Sequence, residues 1–220
     1  MSLPFDAAQF FGVFVRYNDV VWPAQLLLVV LAGAASVLAV RPRAWSDRAI
    51  GGVLALLWLW MGVVYHLGFF SAINPAARLF GGLFIFEGLA LGTLATIRGK
   101  LRFRFRPGVR GTTGALLIGF GLLGYPLLAY AVGHRYPATA TFGLPCPTTI
   151  FTLGMLLWLE PGAPGWILAV PLAWSAVGAS AATQLGVRED LSLVVAGAVS
   201  AVVTIVSRQR SANPRELVPR

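Results

Sequence analysis

Cysteine, histidine and charge are all scarce in this chain. One cysteine, Cys146, stands among 220 residues. A single thiol excludes an intramolecular disulfide and a four-cysteine zinc site. Charged residues make up 11% of the sequence, against roughly 25% in an ordinary soluble domain. That deficit, beside a hydrophobic content of 57%, makes lipid the main solvent for the surface. No phosphate loop, dinucleotide fingerprint or soluble catalytic domain is visible, so any transport is expected to be passive or gradient-coupled. The segment Met1–Tyr17 has no basic region followed by a short apolar stretch and a small-residue cleavage site, so the first spanning helix is expected to direct insertion.

What is present is a series of long apolar runs. A membrane-spanning helix needs about 20 mostly apolar residues. Seven segments qualify or nearly so: Val20–Val40, Ile50–Phe70, Ala76–Ile97, Thr113–Val132, Ala138–Leu159, Gly165–Leu185 and Leu191–Val206. The fold class is therefore all-α, a polytopic bundle of seven spans within 20–216, and the length fits one bundle better than two domains. Ahead of it, residues 1–19 carry Phe5, Phe10, Phe11, Phe14 and Tyr17 among polar positions, the pattern of an amphipathic arm lying at the interface. The last four residues, Leu217-Val218-Pro219-Arg220, match the left half of a thrombin site and are set aside as a tag remnant.

The formal net charge of +9 could indicate nucleic acid, but its placement indicates topology. Arg41, Arg43 and Arg48 fill the first loop. Arg98, Lys100, Arg102, Arg104, Arg106 and Arg110 fill the third. Arg208, Arg210 and Arg215 follow the last span. The intervening loops hold Arg78, Arg135, and Arg188 beside Glu189 and Asp190. Basic loops remain cytoplasmic, which places the N-terminus outside, the C-terminus inside, and no nucleic acid among the partners. The run from Arg98 to Arg110 interleaves aromatics with its basic residues and is suited to anionic lipid head groups. Small residues at Gly88 and Gly92, and at Gly178, Ala181 and Ala182, let helix backbones approach and read as internal packing.

Helices starting at the outer face have capping residues there: Asn18 or Asp19, Asn74 before Pro75, Cys146 before Pro147, and Asp190. The fifth run contains Gly143, Pro145 and Pro147. Residues before proline favour extended geometry, so Leu144 and Cys146 are expected outside the helix, which would resume at Pro147. Cys146 and Thr148 would then stand at a helix start, where backbone donors are free and a thiolate is favoured. Glu87 lies about 16 Å below the outer edge of its span, at a depth where a carboxylate is costly and most often functional. It is expected to face other helices, with His66, Tyr130 or Thr148 as partner. His66 sits about 6 Å deep, and His134 lies at the outer mouth. Cys146, His66 and Glu87 supply ligand types that soft or borderline metals accept, and with Thr148, Asn74 and His134 they form the candidate binding residues.

Several phrases occur together: Tyr17-Asn18, Trp22-Pro23-Ala24-Gln25, Tyr65-His66, Ile73-Asn74-Pro75-Ala76-Ala77, His134-Arg135-Tyr136-Pro137, and Phe142 to Phe151 with its Leu144-Pro145-Cys146-Pro147-Thr148 centre. Together they resemble an uncharacterised bacterial family of small polytopic membrane proteins, a domain of unknown function. The resemblance covers most of the chain and implies the bacterial inner membrane. It implies no activity, cofactor or oligomeric state. The leading expectation is an integral membrane protein that binds or passes a small solute or ion, a soft metal cation among them, at an outward-facing site beside a broken fifth helix. A membrane-embedded enzyme or thiol redox protein using Cys146, and a membrane scaffold that binds another protein, stand as alternatives.

Overall fold

The computed structural model describes residues 3–212, with the side chains of 179, 181 and 210–212 excepted. Arg215, the segment 217–220 and the side chains of Ala181 and Arg210 therefore lie outside the described residues. Within them the protein is all-α apart from one two-residue ribbon.

Helix α1 (Ala7–Val21) begins with a reciprocal cap. Gln9 N donates to Asp6 Oδ1 at 2.8 Å, and Asp6 N donates to Gln9 Oε1 at 3.0 Å. Its inner face carries Phe10, Val13, Phe14, Tyr17, Asn18 and Val21, which recur at helical spacing. Trp22 takes the extended geometry that a following proline favours. The chain turns there by 85° into α2 (Ala24–Val40). The apolar run expected from Val20 is thus divided at Trp22-Pro23. Neither Asn18 nor Asp19 caps α2, which has no side-chain cap.

Helix α3 (Ser46–Ala72) is continuous over 27 residues and widens into π turns over Met61–Phe69. It packs closely along α4 (Ala77–Ile97). A Cβ on Gly88 would stand 3.0 Å from the Ala55 carbonyl oxygen, so the Gly88 face is internal helix packing. Helix α5 (Val109–Ala131) contains a widened turn at Phe120–Gly124. Pro126 comes two residues after its end, and the wider turn relieves the clash between its ring and the carbonyl one turn earlier.

Helix α6 (Pro145–Leu157) is the innermost element, with every residue buried except Cys146. It corrects the expected break. Leu144 is extended, but the helix begins at Pro145 and includes Cys146. First-turn residues have no carbonyl partner four positions back, so prolines at 145 and 147 sacrifice no hydrogen bond. The preference against helical geometry at Cys146 is overridden by packing. Residues 138–144 are not helical, and the run expected over Ala138–Leu159 yields a helix of 13 residues. Helix α7 (Ala169–Gln184) and α8 (Leu191–Ala212) complete the bundle, with a 3-10 turn at Arg188–Asp190 leading into α8. Gly178 faces Leu193, where a Cβ would meet Leu193 Cδ2 at 2.7 Å.

Among the described residues, four helices are able by length and composition to cross a membrane: α3, α4, α5 and α8 with its leading turn. A fifth span is formed if the bent pair α1–α2 counts as one. At the end of the bundle holding the basic loops, strand β1 (Arg102–Phe103) pairs antiparallel with β2 (Leu159–Glu160). Arg104 clamps Asp47 through two nitrogens, at 2.6 and 3.0 Å. That carboxylate holds the Arg104 guanidinium above its ordinary pKa, so the arginine keeps its charge.

Candidate functional site

The opposite end of the bundle is built from buried polar residues. Asn18 Nδ2 donates to the Pro137 and Thr139 carbonyls at 2.6 and 2.9 Å. Asn18 Oδ1 accepts from Gln25 at 2.6 Å and from the Thr141 hydroxyl at 2.8 Å. These bonds fasten the α1–α2 corner to the loop between α5 and α6. They explain why a polar pair lies buried on apolar helix faces, and why Asn18 is not a cap. Gly143, with φ +98°, turns the chain from this loop toward α6, and its N–H donates to Thr148 Oγ1 at 2.9 Å.

Beneath the corner lies a cavity of about 250 Å³. Its wall is mostly apolar and aromatic, and includes Phe10, Phe14, Phe70 and Trp174. Tyr65, Asn74, Cys146, Ser180 and Asp190 supply its polar groups. Asp190 is 1% exposed, and the Tyr125 hydroxyl donates to its Oδ1 at 2.5 Å. The Cys146 thiol faces the same carboxylate and lies beside the Trp174 indole. Trp174 Nε1 is buried without a hydrogen-bond partner. Next to Asp190, Glu189 is fully buried and pairs with His134, whose Nδ1 lies 2.7 Å from Oε1.

The expected site residues divide between this cavity and the bundle behind it. Cys146 and Asn74 line the cavity. Asn74 Oδ1 also accepts from Ala76 N at 3.1 Å, which closes the turn leading into α4. But α4 begins at Ala77 with Ala76 at its cap position and no side-chain cap, so Asn74 is not the expected cap. His134 stands at the rim, bound to Glu189. Thr148 is fully buried beneath the Gly143 turn. His66 lies behind the wall. Its ring packs against Phe84 and Trp174 at centroid distances of 4.6 and 5.1 Å, and neither nitrogen has a partner. Glu87 is fully buried and faces other helices, but neither oxygen has a hydrogen-bond partner. His66, Tyr130 and Thr148 do not pair with it, and Tyr130 is exposed. Among the described residues no three of His, Cys, Asp and Glu form a group able to hold a metal ion. Cys146, His66 and Glu87 are not brought together.

A family model described as "Family of unknown function (DUF6064)" matches residues 7–216. The chain belongs to this family. The match runs from the start of α1 through the whole bundle, so the cavity of this DUF6064 chain lies inside the family's own extent except for Leu3, Pro4 and Phe5. No curated protein and no solved structure matches the chain.

Sequence reasoning missed Asp190, Tyr125 and Trp174 at the DUF6064 site. Asp190 reads as a helix cap or a loop charge. The available signal was the adjacent acid pair Glu189-Asp190 directly before an apolar run, where two carboxylates would have to be buried together. Tyr125 and Trp174 give no signal in an apolar sequence, because their neighbours are set by packing between distant helices.

Proposed function

We propose that the chain is a seven-pass protein of the bacterial cytoplasmic membrane that binds a small, largely apolar solute in the cavity beside Cys146. The carrying observation is that cavity, an apolar chamber with its few polar groups gathered around Asp190. Such chambers are the usual form of small-molecule sites. The lining residues come from α1 and the outward ends of the other helices, which favours binding over an open channel.

Seven passes are supported by how the loops group. Arg104–Asp47, the β1–β2 ribbon, and Arg110 donating to the Leu159 carbonyl at 2.7 Å join the basic loops at one end. Asn18–Thr139 and His134–Glu189 join the poor-charge loops at the other. Each of α2 to α8 then runs between the two ends. Helix α6 is shorter than a bilayer, about 20 Å, but it is enclosed by protein, and non-helical backbone at that depth is tolerated when it is so covered. The positive-inside rule orients the basic end toward the cytoplasm. Exposed Arg98, Lys100 and Arg102 then meet anionic head groups there.

Cys146 reports on both parts of this reading, because it is the only thiol. In sealed right-side-out vesicles, the membrane-impermeant reagent 2-(trimethylammonium)ethyl methanethiosulfonate added outside should modify it. Butylbenzene, and an Ala140→Trp substitution in the cavity wall, should each slow the reaction. Modification only from the cytoplasmic side would reject the orientation. A rate indifferent to both the hydrocarbon and the tryptophan would reject the cavity as a binding site.

A further inference from the structure

We infer that the cavity selects an organic cation, an ammonium group carried on a small apolar body, with Asp190 as its counter-ion. This inference rests on the reading of the cavity as a ligand site and adds the ligand's charge class.

Three features of the wall support it. First, the cavity is rich in rings: Phe5, Phe10, Phe14, Tyr65, Phe70 and Trp174 all line it. Aromatic faces are electron-rich and attract cations, and cages of such rings recognise quaternary ammonium groups. Second, the lining contains one ionisable acid, Asp190, and no lysine, arginine or histidine. The side chain that bonds to Asp190 is the neutral Tyr125 hydroxyl, and the Cys146 thiol, also neutral, faces it. They fix the carboxylate's orientation without cancelling its charge. The nearest cationic candidate, His134, is engaged 2.7 Å from Glu189, and Arg135 lies over the Tyr130 ring at 3.9 Å. An anionic ligand would be repelled, and a neutral one would leave a buried carboxylate without a counter-charge.

Third, the size fits. A cavity of about 150 Å³ accommodates benzene. A volume of about 250 Å³ leaves room for a benzene ring with a quaternary ammonium group attached. One carboxylate and one thiol are too few ligands to favour a bare metal ion over such a cation.

The test compares benzyltrimethylammonium with neopentylbenzene, its uncharged isostere in which carbon replaces nitrogen. Binding to the purified full chain in lipid nanodiscs is measured by calorimetry and referred to the free concentration of each probe. The wild-type protein should prefer the cation at least tenfold. Asp190→Asn should weaken the cation at least tenfold and leave the isostere unchanged. Ala140→Trp should weaken both. If the wild-type protein binds both probes equally, or if folded Asp190→Asn retains full cation affinity, the charge selection is refuted while the cavity reading stands. If neither probe binds the wild-type protein, the cavity reading itself fails. The wild-type preference needs no variant, so it decides the matter even if Asp190→Asn does not fold.

Discussion

The Tyr125 hydroxyl and Asp190 Oδ1 lie 2.5 Å apart, joining the middle of α5 to the turn that opens α8. Both residues are buried, and 65 positions separate them. The bond holds the one acid of the cavity wall in place from a helix that does not itself line the cavity.

Removing that donor gives a direct prediction. Tyr125→Phe keeps the ring and deletes the hydroxyl. Hydrogen bonds to charged groups are worth about 1.5–3 kcal/mol, and the loss should appear as lower stability in thermal or denaturant unfolding of detergent-solubilised protein. Full stability in the phenylalanine variant would mean that Asp190 is held by other contacts.

The corner between α1 and α2 yields a second. Asn18 donates two bonds to loop carbonyls and accepts two at its oxygen. Asn18→Asp is nearly isosteric but replaces the donor by an acceptor, which would face the Pro137 and Thr139 carbonyls. The cost should be about 3 kcal/mol, from two unmet acceptors and a buried charge. Amide hydrogen exchange should rise across residues 133–143, because that loop is fastened through Asn18. Exchange unchanged there would show that the loop is held independently.

The end of the bundle opposite the basic loops shows how far the sequence alone could be read. Apolar runs and basic loops indicated an all-α membrane protein, because solvation by lipid constrains composition strongly. Asn74 was legible as a residue that punctuates the chain before α4, because its bond to Ala76 is local, although it closes a turn and does not cap the helix. Asn18 was misread because its partners, Pro137 and Thr139, are more than a hundred residues away. At Cys146 the local rule about residues before proline lost to the packing of α6 inside the bundle, where a first-turn proline also sacrifices no hydrogen bond. Asp190 was seen as a cap, and its role in the cavity depends on Tyr125 and Cys146, which only the assembled bundle brings near it. Periodicity reveals local geometry and the apolar runs of a membrane protein; it does not reveal which helices become neighbours.

Glu87 supplies the last prediction. It lies about 15 Å along α4 from its first residue, is fully buried, and has no hydrogen-bond partner at either oxygen. A buried polar group left unsatisfied costs about 1–3 kcal/mol. Replacing it by a well-packed apolar residue of similar size removes that cost, so Glu87→Leu should raise the unfolding free energy by about 1–3 kcal/mol. Glu87→Gln keeps polar atoms in the same surroundings and should change stability less. The cavity lining does not include Glu87, so probe binding there should persist in both variants. A Glu87→Leu protein less stable than the wild type would show that the carboxyl group makes a stabilising contact. A stable Glu87→Leu protein that had lost probe binding would place Glu87 in the ligand's path, and the site would then have to extend from the cavity to the middle of α4.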